Sequence, residues 1–258
     1  MKVILTEELW IVIKPILQTK INKVGRPEID IKKSLEGLLY VLENGIKWRC
    51  LPSEYGKPST VHGKYMRWIK KGKIQKIFEI IRKIYLEATN AFENWYASDT
   101  SSCKAPYAKY SGKNPTDRAK RGVKKSILVD SLGAPLAVDS FPANQHDSKM
   151  LLSLLSDIKP VMKSLIAVVA LDSAYDSKEL REEAIKSGFI LHASTNKRRN
   201  KNCRVIKPVG RWKVEPVHSW LNNFRSIKIC YAKSKESFVG FLQIAAAILL
   251  FRMSLIFG

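Results

Sequence analysis

Acid is what this sequence is short of. Only 23 Asp and Glu stand against 45 Lys and Arg, so the 258 residues carry a formal charge of +22. A charge of that size argues against an enzyme of small anionic metabolites and for a large polyanion as partner. Cysteine is also scarce. Cys50, Cys103, Cys203 and Cys230 are scattered with no C-x-x-C pair, which argues against a zinc ribbon and a disulfide framework and fits reduced thiols in a cytosol. The segment Met1 to Trp10 lacks the basic-then-apolar layout of a secretory leader. Long apolar runs are missing too. The stretch from Phe238 to Phe257 is interrupted by Gln243, Arg252 and Ser254, and its uninterrupted part, Ile244 to Phe251, is too short to span a bilayer. It reads as a buried terminal helix. No internal repeat is visible, and 45 % apolar with 26 % charged residues is the mix of a folded protein.

The excess charge is local. Residues 64–83 hold eight basic side chains and one acid, residues 104–125 eight and one, and residues 197–213 eight and none. These three stretches account for the whole of +22, the remaining basic residues being matched by acids. Such clustering is the footprint of a phosphate-tracking surface, in place of a uniformly lysine-rich one. The residues expected on DNA are Lys64, Arg67, Lys70 and Lys71 in the first stretch, Lys120 and Arg121 in the second, and Lys197, Arg198, Arg199 and Arg211 in the third.

The first ninety residues have helical texture. Thr6 is placed to cap a helix with Glu7 and Glu8 in its first turn and a Leu5/Trp10 staple, and Pro15 kinks or ends it. Asp30 caps a second helix, in which Leu35, Leu38, Leu39 and Leu42 recur at helical spacing and which Gly45 stops. Ser59 or Thr60 opens a short third helix through Trp68, broken near Gly72, and a fourth runs from Ile74 to Glu87. A short basic and aromatic helix after a Gly-containing turn suits a helix-turn-helix reader, although a plain helical bundle has the same pattern.

Near Asn94 the texture turns β-prone. Trp95 to Ala97 forms a strand leading to Asp99. The segments 126–129 and 136–138 flank a turn at 131–133 as a hairpin, followed by a helix from Ser148 to Ile158. Leu165 to Leu171 is a continuous apolar run that reads as a central strand buried on both faces, with Asp172 at its end. A helix from Ser177 to Ser187, a strand from Phe189 to His192, a basic loop at 196–213 and two further helices complete a mixed α/β sheet flanked by helices. Asp99, Asp172 and Glu215 are three acids on separate elements ringed by Lys and Arg. They suit two hard cations, Mg²⁺ or Mn²⁺, gripping a phosphate. Asp130 and Asp139 are read as turn or solvent-facing acids. His146-Asp147 either caps the next helix or touches the site, and Glu215-x-x-His218 lacks the partners of a di-iron bundle.

At these residues the chain resembles the DDE transposases of bacterial insertion sequences. Trp95-Tyr96-Ala97-Ser98-Asp99-Thr100-Ser101, then Leu171-Asp172-Ser173-Ala174-Tyr175-Asp176-Ser177, then Arg211-Trp212-Lys213-Val214-Glu215 look like the family's three carboxylate motifs. Gly45 to Pro52 and Gly56 to Trp68 resemble its helical end-recognition domain, and Asn144 to Asp147 and Asn222 to Arg225 match linking motifs. The resemblance implies a ribonuclease-H-like catalytic domain over 91–258, preceded by a helical, helix-turn-helix-like DNA-binding domain over 1–90. It also implies a divalent pair on Asp99, Asp172 and Glu215, with His146, Asp147, Tyr175, Asp176 and Arg225 as supporting residues. The partners implied are double-stranded DNA, as element ends and target, and a homodimer or larger assembly on it. The location implied is a bacterial cytoplasm, at the nucleoid.

Four positions depart from the family pattern: Ser173 after the second aspartate, Pro208 three residues before Arg211, Pro216 after the glutamate, and Asn222 where a basic residue is usual. Pro216 fits only the first turn of a helix, so that helix is expected to begin near Glu215 and not near Arg211. Two other classes remain: a non-catalytic DNA-binding derivative of such an enzyme, and a structure-specific nuclease of the same fold.

Overall fold

The computed structural model describes residues 5–18, 30–91, 94–115, 117–162, 164–194 and 208–258. Helix α1 (Glu7–Leu17) is capped by Thr6, whose hydroxyl accepts from the Leu9 amide, and keeps Pro15 inside it. Helix α2 (Ile31–Asn44) starts at Asp30, whose carboxylate accepts from Lys32 N–H, and stops at Gly45 with φ of 63°. Only glycine takes that left-handed turn at little cost, and a Cβ there would also lie 2.8 Å from Arg225 Cβ. Two single 3₁₀ turns follow, at Trp48–Cys50 and Ser53–Tyr55.

Helix α3 (Pro58–Lys70) begins at Pro58, earlier than the expected Ser59 or Thr60. Proline at the first helical position gives up an amide that has no partner anyway. Its buried stripe is Val61, Lys64, Tyr65 and Trp68, while Arg67, Lys70 and Lys71 face solvent. This corrects one expectation: Lys64 is 3 % exposed and lies on the core side of α3, so it is not part of a DNA-facing surface. Helix α4 (Lys73–Thr89) completes the helical region.

The sheet follows. Strands β1 (Trp95–Lys104), β2 (Gly112–Lys113), β3 (Arg121–Val129) and β4 (Pro135–Pro142) are antiparallel neighbours, β3 pairing with β1, β2 and β4. After α5 (Ser148–Ile158) the chain returns as β5 (Ala167–Leu171), parallel to β1. After α6 (Lys178–Lys186) it adds β6 (Phe189–Ala193), parallel to β5. The three long antiparallel strands β1, β3 and β4, joined to the parallel pair β5 and β6, are the ribonuclease-H-like arrangement. Two boundaries differ from expectation. β5 starts at Ala167 because Leu165 and Ile166 are exposed. β1 runs seven residues past Ala97, since the β3 ladder pairs it through Lys104, so Asp99 lies within the strand and not after it.

The last helices are α7 (Val214–Asn222), α8 (Arg225–Lys228) and α9 (Lys235–Phe257). Helix α7 begins one residue before Glu215, as Pro216 requires, behind a 3₁₀ turn at Arg211–Lys213. Helix α9 packs against both α4 and β4. That explains a helix apolar on every side: by length and hydropathy it could cross a membrane, yet 72 % of its most apolar window is buried inside the protein. Gly240 lets α3 approach α9, because a Cβ there would sit 2.7 Å from the Tyr65 hydroxyl, which donates to Ser237 O. One continuous apolar core therefore runs from Leu9 in α1 to Met253 in α9. Buried polar ties reinforce it. The Arg82 guanidinium on α4 donates to Leu136 O at 2.9 Å and meets Asp157 of α5 at 3.3 Å, and the Tyr85 hydroxyl donates to Asp130 at 2.7 Å. Asp130 is thus a turn residue that also accepts from the Leu132 and Ala134 amides, and it is fully buried, not solvent-facing.

Candidate active site

Parallel pairing of β1 with β5 brings the two aspartates together. Ala97 pairs with Ala170, so Asp99, two residues further along β1, lies level with Asp172, which follows the last residue of β5. Asp172 ends its strand and turns the chain, its carboxylate accepting from the Ser173 amide. Asp99 accepts from the Thr100 amide at 2.8 Å. Burial holds the Asp99 carboxyl above the ordinary carboxylate range. The Thr100 N–H and the Arg211 charge oppose that shift, and the like charges of Asp172 and Asp147 add to it.

Glu215 reaches the pair through Arg211. One guanidinium nitrogen is 3.9 Å from Asp99 Oδ2 and the other 3.0 Å from Glu215 Oε1, so Asp99 and Glu215 lie within the span of one guanidinium. Arg211 can do this because the 3₁₀ turn sets it four residues before Glu215 on a continuous helical path.

The supporting residues divide. Asp147 faces the acids, held by Lys124 Nζ at 2.6 Å, a contact the sequence reading missed although Lys124 lies in the second basic stretch. The Tyr175 hydroxyl is buried beside Asp147, Asp99 and Thr100 without a partner at hydrogen-bonding geometry. Burial first, then those carboxylates, keep it protonated. His146 bonds instead to Ser148 at the start of α5. Asp176 pairs with Arg181 at 2.8 Å, and Arg225 lies against Gly45, lining a separate cavity. Lys120, Arg121, Arg67, Lys70 and Lys71 are exposed. Lys197, Arg198 and Arg199 lie outside the described residues.

Behind Glu215 is a second charged cluster that the sequence did not disclose. Lys125, 1 % exposed, lies opposite Ser101 on the β1–β3 ladder and donates to Asn222 Oδ1 at 2.6 Å. His218 Nδ1 is 2.9 Å from Ser101 Oγ, and its Nε2 is buried without a partner. Burial, then the charge of Lys125, pushes the His218 imidazole down to about 4, and burial lowers Lys125 as well. Asn222 is therefore not a simple loss of the basic residue usual there. Lysine at 222 would remove the acceptor of the buried Lys125 ammonium and bring a second ammonium near it.

Two family models match the chain. One described as "Transposase DDE domain" matches residues 95–251, and one described as "Putative transposase of IS4/5 family" matches residues 5–78. The chain belongs to the DDE transposases. It is similar to a protein of Burkholderia cepacia described as "Putative transposase for insertion sequence element IS402", 32 % identical over 144 residues, covering 54 % of this chain and 67 % of that protein. A second Burkholderia cepacia protein, an uncharacterized 16.2 kDa product of the IS402 element, is 30 % identical over 110 residues, 40 % of this chain and 75 % of its own. Among solved structures, a piggyBac transposase synaptic complex with hairpin DNA overlaps at a TM-score of 0.46, with 11 % identity over 95 % of this chain and 70 % of its own. A Mos1 mariner paired-end complex with Mn overlaps at 0.29, with 11 % identity over 88 % and 78 %. These overlaps are loose, and the family assignment stands on the sequence matches.

Whether a divalent cation suits the site is a matter of donor chemistry and spacing. The donors are carboxylate oxygens alone, the set that hard ions take, and the buried Tyr175 hydroxyl lacks a partner at the same place. In spacing the site is less complete. Among the described residues no three His, Cys, Asp or Glu side chains are gathered closely enough to hold one ion, and Arg211 lies between two of the three acids.

Proposed function

We propose that this transposase binds the ends of an insertion sequence, cuts a DNA strand there by hydrolysis and joins the freed 3′-hydroxyl to target DNA. The observation that carries the reading is the juxtaposition of Asp99 and Asp172 on paired strands with Glu215 one guanidinium away. Two Mg²⁺ or Mn²⁺ ions held by these acids would supply Lewis acidity and an activated water at the scissile phosphate. The chain's own residues prepare for that. The Thr100 amide fixes one Asp99 oxygen, Lys124 holds Asp147 toward the cluster, and the 3₁₀ turn carries Arg211 to the acids.

In this reading Arg211 is a place-holder. Its guanidinium neutralises Asp99 and Glu215, and it would be free to turn toward a backbone phosphate if cations took over that role. The exposed Arg67, Lys70, Lys71, Lys120 and Arg121, with Lys197, Arg198 and Arg199, hold duplex DNA, and two copies of the chain pair two ends. Residues 1–90 serve end binding and 91–258 the chemistry. The test is strand cleavage by the purified full chain on DNA carrying the ends of its element. Cutting that needs Mg²⁺ or Mn²⁺ and disappears in Asp99→Asn supports the reading, and cutting that survives the change overturns it.

A further inference from the structure

The two residues that β5 leaves out belong to a larger feature. Leu165 is 93 % exposed, and Ile166, Ile185 of α6 and Ile190 of β6 are exposed with it. Their backbones converge on Gly188. Its carbonyl accepts from the Ala167 amide at 3.0 Å, its own amide donates to Ile185 O at 2.9 Å, and a Cβ on it would sit 2.7 Å from Leu165 O. Ile190 is two residues further along β6, opposite Val168. Exposed aliphatic side chains scattered singly call for no explanation, whereas four from three segments gathered at one corner of a sheet mark a contact surface.

Charge indicates what covers it. Residues 165–193 hold three basic side chains and five acids, in a chain whose total is +22. A polyanion finds little to grip at this corner, and two copies of a strongly cationic chain meet here with less repulsion than at a basic face. Helix α6 adds self-complementarity. Exposed Glu182 and Glu183 lie one turn before exposed Lys186, with exposed Ile185 between them. Across a twofold axis near Ile185, the lysine of each copy meets the acids of the other. Strand β6 ends the sheet, yet strand addition is not the means. Gly188 O faces β5, so by alternation Leu191 O faces outward, and it already accepts from Arg181 Nη1 at 2.8 Å. The same guanidinium holds Asp176. The contact is therefore one of side chains.

We propose that this corner is the face on which two copies of the chain dimerise before DNA is bound. The choice of a second copy rests in part on the function proposed above, which pairs two ends; the position of the face rests on the exposed side chains and the local charge. Ala167 is five residues before Asp172, about 17 Å along an extended strand, so a dimer joined here keeps both acid sites away from the contact and open to DNA. An apolar patch of this size suits a dimer of micromolar strength.

The test is sedimentation equilibrium of the nuclease-treated, DNA-free full chain across about 1 to 100 µM, in about 0.1 M and about 0.5 M salt. Wild type is expected to pass from monomer to dimer in that range at both salt concentrations, because an apolar contact is not screened. Leu165→Asp and Ile185→Asp should each weaken the dimer by about tenfold or more, every substitution acting twice across the axis. Both positions are exposed, so the fold tolerates the change, and unaltered urea melts check it. Ile256→Asp, at a comparably exposed isoleucine on the tip of α9, should leave the dimer unchanged, which separates this face from general stickiness. A wild-type chain that stays monomeric throughout, a dimer indifferent to both Leu165→Asp and Ile185→Asp, or one weakened equally by Ile256→Asp overturns the face. Metal-dependent cleavage by the wild type beside such a result leaves the proposed function standing. A dimer that depends on Leu165 and Ile185, in a chain that cuts no DNA, supports the face and overturns the function.

Discussion

Two charged clusters share strand β1 and helix α7, and they behave in opposite ways. Asp172 and Glu215 are exposed and Asp99 is half-buried, and Arg211 donates to Glu215 at 3.0 Å and lies 3.9 Å from Asp99. Three residues after Glu215, His218 faces inward to Ser101 beside Lys125 and Asn222, where burial keeps the imidazole neutral. The first cluster is an excess of acid beside a single arginine, which the proposed function reads as the seat of the chemistry. The second is dry and tied by hydrogen bonds, and it holds α7 on the sheet. In the proposed function, reactivity belongs to the first cluster and stability to the second.

The comparison can be broken most severely at Asp99. Asp99→Asn should reduce cleavage by about a thousandfold or more with no loss of stability, because burial already disfavours its ionised form; urea melts beside cleavage rates check both halves. Next is Asn222→Leu, which should lower unfolding free energy by about 2 kcal/mol by leaving the buried Lys125 ammonium without its acceptor, while Asn222→Asp, which keeps an acceptor there, should stay near wild type. The third handle is pH. His218 has a folded value of about 4 against an ordinary 6.5, so the unfolded chain takes up its proton first. Stability from this group is full above about pH 6.5 and falls as pH drops toward 4, by on the order of 3 kcal/mol. The difference between wild type and His218→Gln across that window isolates it, and parallel curves would refute the buried neutral imidazole. The smallest effect is at Arg211. Arg211→Gln should tighten Mn²⁺ binding and weaken duplex binding, each by about tenfold, and equal signs would rule out the place-holder role.

Much of this fold was legible because caps and stripes are local. Thr6, Asp30 and Gly45 set helix ends, and Pro216 set the start of α7. What escaped depended on tertiary partners. β1 seemed to end at Ala97 because Ser98 to Lys104 is polar; only the β3 ladder extends it. Lys64 seemed a DNA contact by its charge, yet it falls with Val61, Tyr65 and Trp68 at helical spacing, the stripe that faces inward, and its stem is apolar enough to be buried there. The three acids could be named from their motifs, whereas Arg211 lying between two of them could not. Lys125 and Asn222 are 97 residues apart, so nothing in either neighbourhood signals the other.

The most direct test of the central claim is Mn²⁺ binding to the DNA-free full chain, followed by electron paramagnetic resonance of the free ion. The account predicts that wild-type protein depletes the free-ion signal, that Asp99→Asn and Asp172→Asn each fail to do so at the same concentration, and that Arg211→Gln depletes it at lower protein concentration. Undiminished Mn²⁺ uptake by both aspartate variants would contradict it.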